Sequence, residues 1–147
     1  MFSIITPTYN RAHTLDRVYN SLLNQTLKDF HWVIMDDAST DHTEQLVQEW
    51  MAKSNPFEIS YYKLEVNKGK PYALNKGFSH CTRPITIIAD SDDTFVPDTI
   101  AELKMLWQTV DLTQEAEKIA TIWTLTDDEN GHLVGEPFPH NFWQVNF

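Results

Sequence analysis

Cysteine, positive charge and long apolar runs are all scarce in this sequence, and each scarcity excludes something. Cysteine occurs once, at Cys81, so no internal disulfide can form. No motif surrounds Cys81, which reads as a small packing residue and not as a nucleophile. Eleven Lys and Arg stand against twenty-one Asp and Glu, for a net charge of −10 and a pI near 4.8. That balance argues against nucleic acid or an anionic membrane as the main partner, so no nucleic acid is expected. A phosphorylated ligand stays open, because a metal or a local charge cluster inverts the field at one site. No apolar stretch is long enough to span a bilayer, and the amino terminus enters an apolar strand without a signal peptide, so a soluble cytoplasmic protein is expected. Repeats, low-complexity tracts and linkers are missing too. What remains is a chain of 147 residues, 41% hydrophobic, expected to form a single domain over 1–147 with a real core.

Strand-like and helix-like segments alternate along it. Phe2–Thr6 reads as a strand stopped by Pro7. Leu15, Val18, Leu22 and Leu23 follow at helical spacing, with Thr14 as the cap. His31–Met35 is a second strand; Asp41 and Glu44 then resemble a capping box for a helix whose Leu46, Val47, Trp50 and Met51 share a face. Ile59–Leu64 is a third strand, followed by a loop with lysines and glycine and a helix around Tyr72–Phe78. Residues 85–89 form another strand, before a helix entered through Pro97 with Ile100, Leu103 and Leu106 or Trp107 inward. Ile119–Leu125 reads as a strand, and Asn130-Gly131 as a hairpin turn into a partner near Leu133-Val134.

This alternation predicts right-handed βαβ units and an α/β fold with a mostly parallel sheet flanked by helices, closed by a carboxyl-terminal hairpin. The polar clusters fall just after strands: Thr8-Tyr9-Asn10, Asp36-Asp37, Asn67-Lys68-Gly69-Lys70 and Asp90-Ser91-Asp92-Asp93. In a parallel sheet those ends share one edge, so four separate clusters become one site.

The acidic run is the most informative of them. Ile85–Ala89 ends abruptly in Asp90, Asp92 and Asp93. Clustered carboxylates repel unless a cation lies between them, and oxygen ligands suit Mg²⁺ or Mn²⁺. A solvated loop that caps the next helix is the plainer explanation. Asp36-Asp37 reads either as a hydrogen-bond acceptor for a nucleobase or ribose, or as the cap of the following helix, where Ser39 and Asp41 fit best. Lys68 and Lys70 flank Gly69 where cations and backbone amides can approach a diphosphate. Asn75 either orients that loop or bounds a helix turn. The histidines have no zinc-ligand spacing.

Taken in order, Ser3–Arg11, Ser21-Leu22 with Gln25-Thr26, Val33–Asp41, Asn67–Gly69 with Ala73–Gly77, and Asp90–Asp93 with Pro97-Asp98 resemble the amino-terminal half of a family 2 glycosyltransferase of the GT-A fold. Asp90–Asp93 stands where that family has its DxD motif. The resemblance implies a nucleotide-sugar-binding domain in which Pro7, Tyr9 and Asp37 line the nucleoside pocket, with Asp37 on the base. It implies Asp90 near the ribose or metal, Asp92 on the Mn²⁺ or Mg²⁺ that holds the diphosphate, and Lys70 among the donor-binding residues. The implied reaction moves a sugar, with inversion, from a nucleotide-diphosphate donor (a UDP-sugar favoured) to a saccharide, lipid or protein hydroxyl, with peripheral membrane association possible for a full-length enzyme. The family's general base lies downstream of the DxD motif, so a donor-binding half without its acceptor-binding half is expected, ending in an aromatic tail from Phe142-Trp143 to Phe147.

Two alternatives remain. A fragment of this kind binds nucleotide sugar without catalysis. Asp90–Thr94 also matches the DxDxT pattern of haloacid-dehalogenase-like phosphatases, with Asp90 as nucleophile and Asp92 as acid/base, although that leaves Asp36-Asp37 unexplained.

Overall fold

Strands β1 (Phe2–Thr8) and β2 (Phe30–Asp36) are buried at every residue, as central strands covered on both faces must be. The computed structural model describes residues 1–112, 126–128 and 130–134, and the chain divides into two compact units, Met1–Trp107 and Gln108–Phe147. After β1 come α1 (Ala12–Leu23), β2, α2 (Thr43–Met51), β3 (Glu58–Lys63), α3 (Lys70–Phe78), β4 (Ile85–Ile88) and α4 (Thr99–Leu112). The four strands form a parallel sheet in the order β3-β2-β1-β4. The predicted α/β class and parallel sheet are therefore present.

Alternation along the strands divides the core in two. Phe2, Ile4, Phe30, Trp32 and Ile34 meet Leu15, Val18 and Leu22 of α1, Val47 and Trp50 of α2, and Ile100 of α4. Tyr19 stacks on Trp50 there at 4.5 Å between ring centroids. On the other face α3 packs against β1 and β2 through Gly77. A Cβ at Gly77 would run into the end of the Ile5 side chain and lie 3.3 Å from Met35 Cβ, so any larger residue would make Ile5 shift and press on β2. The chain thus moves one way across the sheet through α1 and α2, then returns over the opposite face through α3 to place β4 beside β1.

Several local expectations are corrected. Pro7 does not stop β1, which runs on to Thr8. The Ile5 carbonyl accepts from Ala89 N on the β4 side, so by alternation the Pro7 nitrogen faces that side too, where β4 has already ended at Ile88 and no ladder donor is missed. Thr14 is not the α1 cap: the helix starts at Ala12, whose amide donates to Asp41 Oδ2 (3.2 Å) from the neighbouring loop. The capping box does not form either. His42 occupies the N-cap of α2, Asp41 Oδ1 takes the Thr43 amide at 3.0 Å, and Glu44 turns away to Lys63 at 2.7 Å. Met51 is left 40% exposed. In α4, Ile100 is buried with Leu103 and Trp107 half-buried, while Leu106 faces out.

In the second unit, β5 (Thr126–Asp127) and β6 (Leu133–Val134) pair antiparallel. Asp128 closes their turn by accepting the amides of Asn130 (2.8 Å) and His132 (2.9 Å), and Gly131 supplies a φ of 78°. The expected strand Ile119–Leu125 and the aromatic tail lie outside the described residues. No helix among the described residues is long and apolar enough to cross a membrane.

Candidate functional site

A parallel sheet has a crevice where the chain leaves one strand in one direction and its neighbour in the other. Here that point lies between β1, which leads towards β2, and β4. A cleft of about 170 Å³ opens at this place, lined by Pro7, Arg11, Lys70, Asp90, Ser91 and Asp92. Four of the residues singled out from sequence, Pro7, Lys70, Asp90 and Asp92, are therefore brought together from the end of β1, the start of α3 and the loop after β4.

The loops are held by side-chain hydrogen bonds to backbone. Asn10 adopts the left-handed φ of 53°, which asparagine tolerates better than most residues. Its amide donates to Ser39 Oγ (2.9 Å), and its Oδ1 accepts from the amides of Thr40 (2.8 Å) and Asp41 (3.2 Å). The loops after β1 and β2 are thereby joined. Asp36 is fully buried and accepts from the Ser39 amide (2.8 Å) and from the Tyr61 hydroxyl. Burial, together with the Asp36 carboxylate beside it, pushes the Tyr61 phenol far above its usual range, so Tyr61 stays a donor.

Asp37, only 3% exposed, accepts the amides of Lys68 (2.8 Å) and Gly69 (2.6 Å) through its two oxygens. It anchors the loop that leads into α3, where Gly69 turns with φ 88° and Lys70 begins the helix. Tyr9 stands 44% exposed on its loop, outside the lining of the cleft. Asn75 lies exposed in the middle of α3, so it neither bounds the helix nor belongs to the loop. Ser39 and Asp41 satisfy loop and helix amides, as their plainer reading holds.

Lys70 Nζ pairs with Asp90 Oδ2 at 2.6 Å across the cleft. Asp92 is exposed beside them, and Ser91 between the two is buried. Partial burial and then the charges of Asp90 and Asp92 raise the Asp93 carboxyl above the usual carboxylate range, with Lys70 only partly offsetting them. The loop thus carries more negative charge than its one lysine neutralises. No group of three His, Cys, Asp or Glu gathers as a ready metal cage among the described residues. An octahedral Mg²⁺ or Mn²⁺ does not need one, since such ions take one or two carboxylates and complete their shell with substrate phosphates and water. Asp90 and Asp92 fit that requirement.

Arg11 and Ser91 escaped assignment from sequence, as did Tyr61 and Asn10 as supports. Only the position of Arg11 just after the first strand end hinted at a role; Tyr61 had no signal, because its partner is chosen across strands.

The family model "Glycosyl transferase family 2" matches residues 3–113. An uncharacterised glycosyltransferase of Nostoc sp. is 33% identical over 110 residues, which are 75% of this chain and 34% of that protein. Staphylococcus aureus TarS, solved in complex with UDP-GlcNAc, superposes with a TM-score of 0.65 at 29% identity over 77% of this chain and 32% of the solved one. A mannosyltransferase of Pyrobaculum calidifontis, solved with GDP-Man and Mn²⁺, superposes with a TM-score of 0.61 at 29% identity over 64% of this chain and 28% of that one. The parallel sheet and its flanking helices match GT-A structures of this kind. The chain spans about a third of the length of these relatives.

Proposed function

The chain belongs to glycosyl transferase family 2, and from that premise we propose that the β1–β4 cleft binds the diphosphate of a nucleotide sugar, whose sugar passes with inversion to an acceptor hydroxyl on a saccharide, lipid or protein. The observation that carries this reading is the convergence of Lys70, Asp90 and Asp92 at the switch point of a parallel sheet. About 170 Å³ suits an ion with phosphate oxygens and not a whole nucleotide, so the nucleoside extends from the cleft towards β2. Pro7 at the cleft and the exposed Tyr9 beyond it offer apolar surface along that path. Both Asp37 oxygens already accept amides, yet each keeps a lone pair, so Asp37 serves the base directly and through the loop it holds.

Asp90 and Asp92 would hold Mn²⁺ or Mg²⁺, which as a Lewis acid stabilises charge on the departing diphosphate. Lys70 adds a second cation on the same side. Inversion also needs an Asp or Glu to take the acceptor proton, and Asp90 and Asp92 are not assigned that role. A UDP-sugar is the favoured donor; TarS with UDP-GlcNAc is among the solved relatives. The dehalogenase-like alternative drew only on Asp90–Thr94, whereas the family match takes in every clustered loop from Thr8 to Asp93.

Thermal unfolding with UDP, GDP, CDP and dTDP, each with and without Mn²⁺, tests the reading. A ligand at a hundred times its dissociation constant adds about 2.7 kcal/mol of stability. A shift with one nucleotide that requires the metal supports donor binding and names the base. No shift with any pair overturns it. Metal-dependent binding without transfer or donor hydrolysis would instead favour a non-catalytic nucleotide-sugar-binding chain.

A further inference from the structure

We propose, on the nucleotide-sugar reading of the cleft, that Arg11 is the residue by which this site tells a nucleoside diphosphate from a monophosphate. Two cations line the cleft, Arg11 and Lys70. Lys70 is already committed to Asp90 at 2.6 Å. Elsewhere Lys63 pairs with Glu44, and Arg83 lies 3.7 Å from Glu58. The Arg11 guanidinium is exposed, and among the described residues it has no hydrogen bond or ion pair. Among the described residues it is therefore the one cation of the cleft not neutralised in advance.

Its backbone, by contrast, is fixed. The preceding Asn10 is locked to the β2 loop through Ser39, Thr40 and Asp41. The following amide, that of Ala12, donates to Asp41 Oδ2 at 3.2 Å. The Arg11 carbonyl accepts from Thr14 (3.0 Å) and Leu15 (2.9 Å) as the first turn of α1. A rigid base with an uncommitted guanidinium is what a group needs if it is to meet an incoming anion with little loss of order. Arginine presents paired N–H donors that match two phosphate oxygens, which a lysine cannot do.

Strand order says which phosphate it meets. Asp37, proposed for the base, follows β2, while the cleft lies on the other side of β1, beside β4. A nucleotide laid across that edge places its nucleoside over β2 and its terminal phosphate in the cleft, so Arg11 takes the β-phosphate and leaves a monophosphate out of reach.

The test is calorimetric titration with UDP, UMP, GDP and GMP at constant Mn²⁺, on the wild type, on Arg11→Met and on Arg17→Met. Arg17 lies exposed further along α1, outside the cleft, and its variant removes the same charge. In the wild type the diphosphate binds more tightly than its own monophosphate. In Arg11→Met that preference falls about tenfold, as expected for one charge-assisted bidentate contact, while monophosphate affinity is retained and so certifies the fold. Arg17→Met keeps the wild-type preference. Equal weakening of di- and monophosphate by Arg11→Met, no effect of it, or an equal effect of Arg17→Met overturns the role of Arg11 and leaves nucleotide binding standing. If the wild type binds none of the four, the nucleotide reading of the cleft fails with it.

Discussion

Lys70 Nζ lies 2.6 Å from Asp90 Oδ2, tying the first residue of α3 to the loop after β4. The two side chains are 55% and 38% exposed, so the pair contributes little to folding, about 0–1 kcal/mol. Its work lies in the cleft. Lys70→Ala should leave the melting temperature nearly unchanged and weaken Mn²⁺-supported nucleoside diphosphate binding about tenfold by calorimetry, the loss of one charged phosphate contact. A variant that melts much earlier would make the pair structural.

Asp92 sits exposed on the same loop. Asp92→Ala should keep ligand-free stability within about 0.5 kcal/mol of the wild type, as for other surface substitutions. The part of the nucleotide-induced thermal shift that depends on Mn²⁺ should vanish. Substantial unfolding of this variant would show that the acidic cluster is structural.

His31 gives the fold a pH dependence of known sign. Its Nε2 lies 2.9 Å from Ser60 Oγ, and its buried Nδ1 has no hydrogen-bond partner among the described residues. Burial lowers its pKa, with Arg83 acting the same way and Glu58 opposing. The unfolded chain therefore binds the proton first. His31 is neutral in both states above about pH 6.5, and stability is lost as pH falls from there through the lowered folded value. Melting temperatures between pH 7.5 and 5 should fall less steeply for His31→Gln than for the wild type; identical slopes would exclude His31 as a source.

Asn10 separates conformation from hydrogen bonding. Asn10→Ala loses both the side-chain acceptor and the tolerance of φ 53°, and should destabilise by roughly 2 kcal/mol in denaturant unfolding. Asn10→Gly keeps the backbone and should lose about half as much, while Asn10→Asp keeps the acceptor and should lose least. Equal losses for alanine and glycine would show that the left-handed turn contributes nothing.

Much of the site was readable before any fold was known, because strands of a parallel sheet end on one edge and the clusters after them must meet. Lys70, Asp90 and Asp92 followed from that reasoning, Pro7 only from the family resemblance, and all four lie in one cleft. Asp37 was legible as a strand-end carboxylate, yet its burial beneath the Lys68–Gly69 amides was not, since that depends on how the loop after β3 folds back. Thr14 and Glu44 fitted local capping rules. Asp41 instead serves two helices at once, an arrangement no single-helix rule contains.

Apolar patterning with Pro and turn signals determined the order of strands and helices among the described residues and most of the inward positions, Met51 excepted, because burial is a property each segment needs for itself. Only the tertiary structure decided that β4 lies against β1 and not beyond β3. Strand neighbours are selected by crossover handedness and by the packing of α3 through Gly77, terms that involve residues far apart in the chain. That one neighbour relation brings Arg11 to the acidic loop, so the acids could be found in the sequence while the arginine facing them could not.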